Sequence, residues 1–98
     1  MSGTSNFETI LEEVRALHAL KQSDYGRETD PYSNVRSSED FGIPAWIGCL
    51  VRANDKMRRL QKAARGNSLR NESVEDSILD LIVYGIITLD LWREHNGR

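Results

Sequence analysis

Asn71-Glu-Ser-Val-Glu-Asp-Ser-Ile-Leu-Asp-Leu-Ile-Val-Tyr-Gly-Ile-Ile-Thr-Leu89 threads carboxylates through an otherwise apolar run, and its period decides the fold. Successive helical residues are rotated by about 100°, so Glu72, Asp76 and Asp80 fall one turn apart in a slowly drifting row, with Glu75 beside Glu72. Asp80 is hemmed in by Ile78, Leu79, Leu81, Ile82 and Val83. An ionised carboxylate in such surroundings is costly unless it is paired or bound to a cation. Like charges at four-residue spacing also destabilise an isolated helix, by about 0.2–0.5 kcal/mol per pair. A counter-charge must therefore sit opposite this helix.

Two sources of counter-charge are available. The chain between Arg52 and Arg70 carries Arg52, Lys56, Arg58, Arg59, Lys62, Arg65 and Arg70 against Asp55 alone. In one reading, Asp76 and Asp80 pair with Arg52, Lys56 or Arg59 across a helix interface. In the other, several carboxylates with no His or Cys cluster form an oxygen-only ligand set, suited to hard Mg²⁺ or Mn²⁺ rather than zinc. Both readings require two helices with charge chemistry at their seam.

Working outward, Ser5-x-x-Glu8 fits a capping box that opens a helix after a short polar tail, Met1 to Asn6. Phe7, Ile10, Leu11, Val14, Leu17 and Leu20 recur at helical spacing and predict an amphipathic helix of about four turns ending near Gln22. Its other face, with Glu8, Glu12, Glu13, Arg15 and His18, reads as solvated; Glu12 and Glu13 stand as reserve metal ligands. From Ser23 to Gly42 turn residues replace periodicity, predicting a long loop. Loops of that length in small domains are uncommon unless functional or disordered. Tyr25, Tyr32, Val35 and Phe41 give this one apolar anchors, which favours order. Tyr25 or Tyr32 suits stacking on a base and Asn34 suits a base edge or sugar, while the tyrosines equally suit pinning the loop to the helices.

Ile43-Pro44 opens a second helix and Gly66 closes it. Its expected buried stripe is Ile47, Leu50, Val51, Asn54, Met57, Leu60 and Ala64. Arg52, Lys56 and Arg59 share an adjoining face next to Asp55, either as a basic solvated helix with internal ion pairs or as cations aimed at phosphate oxygens. Asn71 is the expected cap of the third helix, which should run to about Glu94. Gly85 within it costs about 1 kcal/mol relative to alanine and is expected to mark close helix packing.

The 98 residues suit a single domain, 1–98, with a modest core that oligomerisation would supplement. The expected fold is all-α, a small bundle of three main helices with a long 23–42 loop, assembling as a dimer or tetramer. The net charge of −2 hides a local excess of +6 over residues 52–70, leaving −8 elsewhere. A mildly acidic chain with one local basic block is a poor general nucleic-acid binder. Cys49, the one cysteine, has no internal disulfide partner and sits among apolar residues, as expected of a small buried hydrophobe in a reducing compartment. No secretory signal pattern opens the chain, and the longest apolar run, Leu81 to Ile87, is too short to span a membrane. The expected location is cytoplasmic. Neither a glycine-rich phosphate loop nor a nucleophile constellation is present.

Glu75-Asp76 followed by Asp80-Leu-Ile-Val-Tyr84 resembles the all-alpha nucleoside triphosphate pyrophosphohydrolases, the MazG-like superfamily, in which a Glu-x-x-Asp helix pairs with an earlier helix bearing Glu-Glu-x-x-Glu. The resemblance spans mainly the helices from about Trp46 to Trp92. Lys21-x-x-Asp-Tyr-Gly26, Asp30-Pro-Tyr-Ser-Asn34, Phe41-Gly-Ile-Pro-Ala-Trp46 and Asn54-Asp-Lys-x-x-Arg-Leu60 look like a small branch associated with bacteriophages and nucleotide modification or pool control. There are departures. Asp55-Lys56-Met-Arg-Arg59 stands where Glu-Glu-x-x-Glu is expected, and Ser77 occupies the glutamate position of Glu-x-x-Asp, with Asp76 one residue earlier.

The resemblance implies hydrolysis of a ribo- or deoxyribonucleoside triphosphate between the alpha and beta phosphorus, giving monophosphate and pyrophosphate. It implies Asp80, Asp76 and Glu75 as catalytic residues, with Glu72, Glu75, Asp76, Asp80 and Asp55 around Mg²⁺ or Mn²⁺. Glu72 and Glu75, or Glu12 and Glu13, would supply the missing oxygens. Lys56, Arg59, Arg52 and Lys21 would take the pyrophosphate, and Tyr25, Asn34 and Trp46 the base. Relatives bind substrate between protomers of dimers or dimers of dimers; a phage-encoded member would work in the host cytoplasm. One rival is a non-catalytic interaction module whose acidic helix pairs with its own basic helix. Another is a metal-dependent hydrolase of a different nucleotide derivative.

Overall fold

The computed structural model describes residues 5–25, 32, 35–67 and 73–97, with backbone alone for 21–25. These residues are all-helical: α1 Asn6–Tyr25, a short 3-10 helix Ser37–Phe41, α2 Ala45–Ala64 and α3 Val74–His95, with no strand among them. The chain divides into two compact units, residues 1–33 and 34–98.

The first unit holds α1. Ser5 Oγ accepts the Glu8 N–H at 3.1 Å, the N-cap bond that the sequence pattern predicts. The helix continues to Tyr25, past the expected end near Gln22, because Ser23 and Asp24 disfavour helix only weakly and no glycine or proline stops it. Val14 is buried; Phe7, Ile10, Leu11 and Leu20 are exposed, as are Glu8, Glu12 and Glu13.

In the second unit α2 packs on α3. Cys49, early in α2, donates to the Tyr84 carbonyl at 3.5 Å, and Lys56, two turns later, reaches back to Asp80, so the two helices run antiparallel. Pro44 caps α2, one place before its first helical residue, and Gly66 ends it at φ +87°. The cap of α3 is Ser73, whereas the expected Asn71 lies outside the described residues. Ser73 Oγ accepts the Asp76 N–H at 3.0 Å and Asp76 Oδ2 accepts the Ser73 N–H at 3.4 Å, a reciprocal capping box.

The packed face of α2 differs from the expected stripe. Ala45, Cys49 and Ala53 are buried, while Ile47, Leu50, Val51, Asn54, Met57 and Ala64 are exposed, and of the expected set only Leu60 is half-buried. Small side chains at four-residue spacing let two helix axes approach, and the approach outweighs the larger apolar area of the neighbouring face. From α3 the seam takes Ser77, which is wholly buried, with Val83, Ile87 and Leu91. Gly85 does not lie in this seam. It is exposed, and a Cβ built there would meet nothing within 4 Å.

Gly48 is where close approach occurs, since a Cβ there would stand 2.7 Å from Ser38 Cβ and closer still to Ser38 Oγ. The 3-10 helix lies against α2 at this point. Val35 anchors its approach, 4% exposed, whereas Phe41, also expected to anchor, is 83% exposed. Phe41 closes the 3-10 turn just before Gly42 redirects the chain at φ +76°, and Val35 and Ser38 occupy the side that meets α2. Arg36 grips both carboxylate oxygens of Glu94 at 2.8 and 3.1 Å, fastening the start of this segment to the last turns of α3.

Candidate functional site

Antiparallel helices turn in mirror senses about their line of contact, so equal rotations away from it fall on the same side of the pair. Rotating one way from the seam brings Lys56, Arg52 and Arg59 on α2 together with Asp80 and Asp76 on α3. Rotating the other way brings Trp46, Leu50 and Met57 on α2 to the side of Val74 and Gly85 on α3, with Ile78 and Leu89 further round, facing away from α2. The pair therefore has a charged edge and an apolar edge.

On the charged edge Lys56 Nζ lies 3.1 Å from Asp80 Oδ2, and the two side chains are only 19% and 13% exposed. The counter-charge that Asp80 demands is thus Lys56. Arg52 and Arg59 stand about one turn to either side of Lys56 on the same edge, with exposed side chains. Asp76 precedes Asp80 by one turn, its carboxylate engaged in the cap with Ser73. Sequence reasoning took Asp76 as a ligand and missed that role, although Ser73-x-x-Asp76 ahead of an apolar run is itself a capping signature.

Other candidates are placed elsewhere. Asp55 is exposed and about 100° around α2 from Lys56; Glu75 is exposed and about 140° around α3 from Asp80. Among the described residues no three of His, Cys, Asp and Glu gather closely enough to hold a metal ion, so Asp55, Glu75, Asp76 and Asp80 do not form one cluster there. Ser77, at the position of the expected glutamate, is fully buried. Glu72 and Asn34 lie outside the described residues. Lys21 and Tyr25 belong to the last turns of α1, in the other unit, where the backbone alone is described. On that helix Glu12 pairs with Arg15 at 3.7 Å, both well exposed. Trp46 is half-buried in the first turn of α2, and its buried indole Nε1 has no hydrogen-bond partner among the described residues.

Cys49 sits in the seam beside this edge. Burial pushes its thiol up, more than the Thr88 hydroxyl bond and the nearby Arg52 charge pull it down. A protonated buried thiol is a packing group and not a nucleophile. Thr88 in turn donates to the Tyr84 carbonyl at 2.6 Å, so Tyr84 is held here through its backbone.

The donor chemistry of the charged edge is carboxylate oxygen with flanking ammonium and guanidinium groups. Asp76 and Asp80 offer oxygens of the kind a hard divalent cation takes, and the bases suit phosphate. Set against protein-family models, curated proteins and solved structures, the chain matches none. No helix among the described residues is long and apolar enough to cross a membrane.

Proposed function

We propose that the charged edge of the α2–α3 pair binds a nucleoside triphosphate and that the chain hydrolyses it to monophosphate and pyrophosphate with Mg²⁺ or Mn²⁺. The observation that carries this reading is the Lys56–Asp80 pair, 3.1 Å apart and mostly shielded from water, flanked by Arg52 and Arg59. Such pairs contribute little net stability because desolvation offsets their attraction, which favours a functional over a structural role for this one. This one puts a phosphate-binding cation in contact with a cation-binding carboxylate.

Lys56, a point charge on a flexible stem, can turn from Asp80 to phosphate oxygens without leaving the edge. Arg52 and Arg59 can grip phosphate oxygens in pairs. Asp80 and Asp76, with Glu72 from the segment before the Ser73 cap, would hold the divalent ion, which would supply charge neutralisation and a lowered pKa for bound water. Water oxygen bonds to the alpha phosphorus as the bridge to the beta phosphorus breaks, and the departing pyrophosphate stays on Lys56, Arg52 and Arg59. No covalent enzyme intermediate is needed. The resemblance to the MazG-like superfamily supports the same reaction through Asp80 and Tyr84.

Incubation of the purified chain with Mg²⁺ or Mn²⁺ and each common ribo- and deoxyribonucleoside triphosphate, followed by chromatography of monophosphate and pyrophosphate, tests the proposal. The expected result is paired release of both products, lost in Asp80→Ala. Silence across all substrates, with no thermal shift from either metal, would overturn it. That outcome would favour a non-catalytic interaction module, the reading to which the closed Lys56–Asp80 contact also lends itself.

A further inference from the structure

The side of α2 turned away from α3 takes no part in the seam or in the charged edge. Val51, Asn54, Arg58, Gln61 and Arg65 succeed one another there at steps of three, four, three and four residues, which holds a single line along a helix. All five are exposed. Lys62 stands about 40° round from Arg58 on the same side and is exposed too. Among the described residues no side-chain hydrogen bond or ion pair engages Asn54, Arg58, Gln61, Lys62 or Arg65. The line lies opposite Lys56, because Asn54 and Arg58, two residues to either side of it, are each about 160° away around α2.

We propose that this line binds duplex DNA, with α2 lying in the major groove. Its polar side chains are those that read base edges: a guanidinium spans guanine O6 and N7, and a carboxamide spans adenine N6 and N7. Val51 offers methyl groups of the kind that meet thymine, and Lys62, at the flank, faces the phosphates. An acidic protein surface would satisfy Arg58, Lys62 and Arg65 equally, but it gives the interleaved Asn54 and Gln61 no matching pattern. A helix about 10–12 Å across fits a groove about 12 Å wide, whereas the major groove of A-form RNA is too narrow to admit it. The net charge of −2 does not oppose the contact locally. Asp55, the one acid of α2, stands about 60° round from Arg58, and the acids of α3 ride on an axis about 8–10 Å further back, where salt near about 0.15 M screens them. The binding is therefore weak and base-directed, unlike the broad phosphate binding that the acidic average argues against.

Fluorescence anisotropy of the full chain with labelled duplexes of about 20 base pairs and random sequence tests the face. The expected dissociation constant is on the order of 10 µM at about 50 mM salt, weakening about twentyfold by about 150 mM as three cations release their counterions. Repeated selection from the random pool should enrich one motif. Arg58→Gln should cut the preference for the enriched duplex over the pool about tenfold, while Lys62→Gln should weaken both alike. Far-UV circular dichroism checks that each variant keeps its helices. Arg58 and Lys62 lie outside the proposed triphosphate site, so the two readings fail separately. No binding at about 50 mM salt overturns the proposal, as does a selection that enriches nothing. So does equal affinity for an A-form RNA duplex, or binding indifferent to both substitutions. Displacement of the DNA by poly-glutamate of equal total charge would make the face one for acidic proteins and overturns it too.

Discussion

Lys56 and Asp80 concentrate the chemistry of the chain in one contact. The two opposite charges offset each other in a place where neither is comfortable alone, since their side chains are only 19% and 13% exposed. Asp80→Ala takes the carboxylate at 3.1 Å away from a mostly buried ammonium, and we expect a loss of about 1–3 kcal/mol in urea unfolding. Replacing both groups, Lys56→Met with Asp80→Leu, removes both desolvation costs and should recover most of that loss, while abolishing the hydrolysis proposed above. A double variant as unstable as Asp80→Ala would show that the pair itself holds the seam together. This contact was legible in the sequence as a requirement, because apolar neighbours on every side of Asp80 forced a counter-charge. Which base would supply it was not legible, for Arg52, Lys56 and Arg59 share one face and only the register of two helices separates them. Asp55 and Glu75 were misjudged for a related reason: one residue of offset is about 100° of rotation, and closeness along the chain is not closeness on a face.

At the scale of the elements, composition and period located all three α-helices but chose the wrong face of α2. The sequence reading followed area, collecting Ile47, Leu50, Val51 and Met57, whereas the fold follows distance and packs through Ala45, Cys49 and Ala53. A run of small residues at four-residue spacing carries that information, yet it competes with a larger apolar stripe a quarter-turn away. The two helical glycines show the same inversion. Gly85 was expected to permit packing and faces open space within the chain, while Gly48 went unremarked and is the one pressed by Ser38. Gly48→Ala should therefore destabilise by about 1–2 kcal/mol, the clash exceeding the helix-propensity gain of about 1 kcal/mol. Urea unfolding of Gly48→Ala beside Gly48→Ala/Ser38→Gly would check this, since emptying the far side should return the propensity gain. The capping box of α3 was readable too, in Ser73-x-x-Asp76, and was obscured by treating every acid in the row as a ligand.

For the whole molecule, an all-α chain with an acidic and a basic helix packed together was legible, because helical period and charge segregation survive in the sequence as plain spacing. The division at residue 33 was not, since nothing in composition changes there. The Arg36–Glu94 fork belongs to this scale as well, because it joins positions 58 residues apart and so encircles both helices of the second unit. Drawing together ends so distant costs chain entropy that rises with the logarithm of the loop, and such contacts tend to close after local ones have formed. The fork then acts on the clock of the fold more than on its speed of assembly. Arg36→Ala or Glu94→Gln should leave the refolding arm of a stopped-flow chevron unchanged and raise the unfolding arm. A slowed refolding arm would instead put the fork in the folding nucleus. A half-exposed pair worth about 1 kcal/mol at equilibrium would thereby lengthen the time the second unit stays shut once folded.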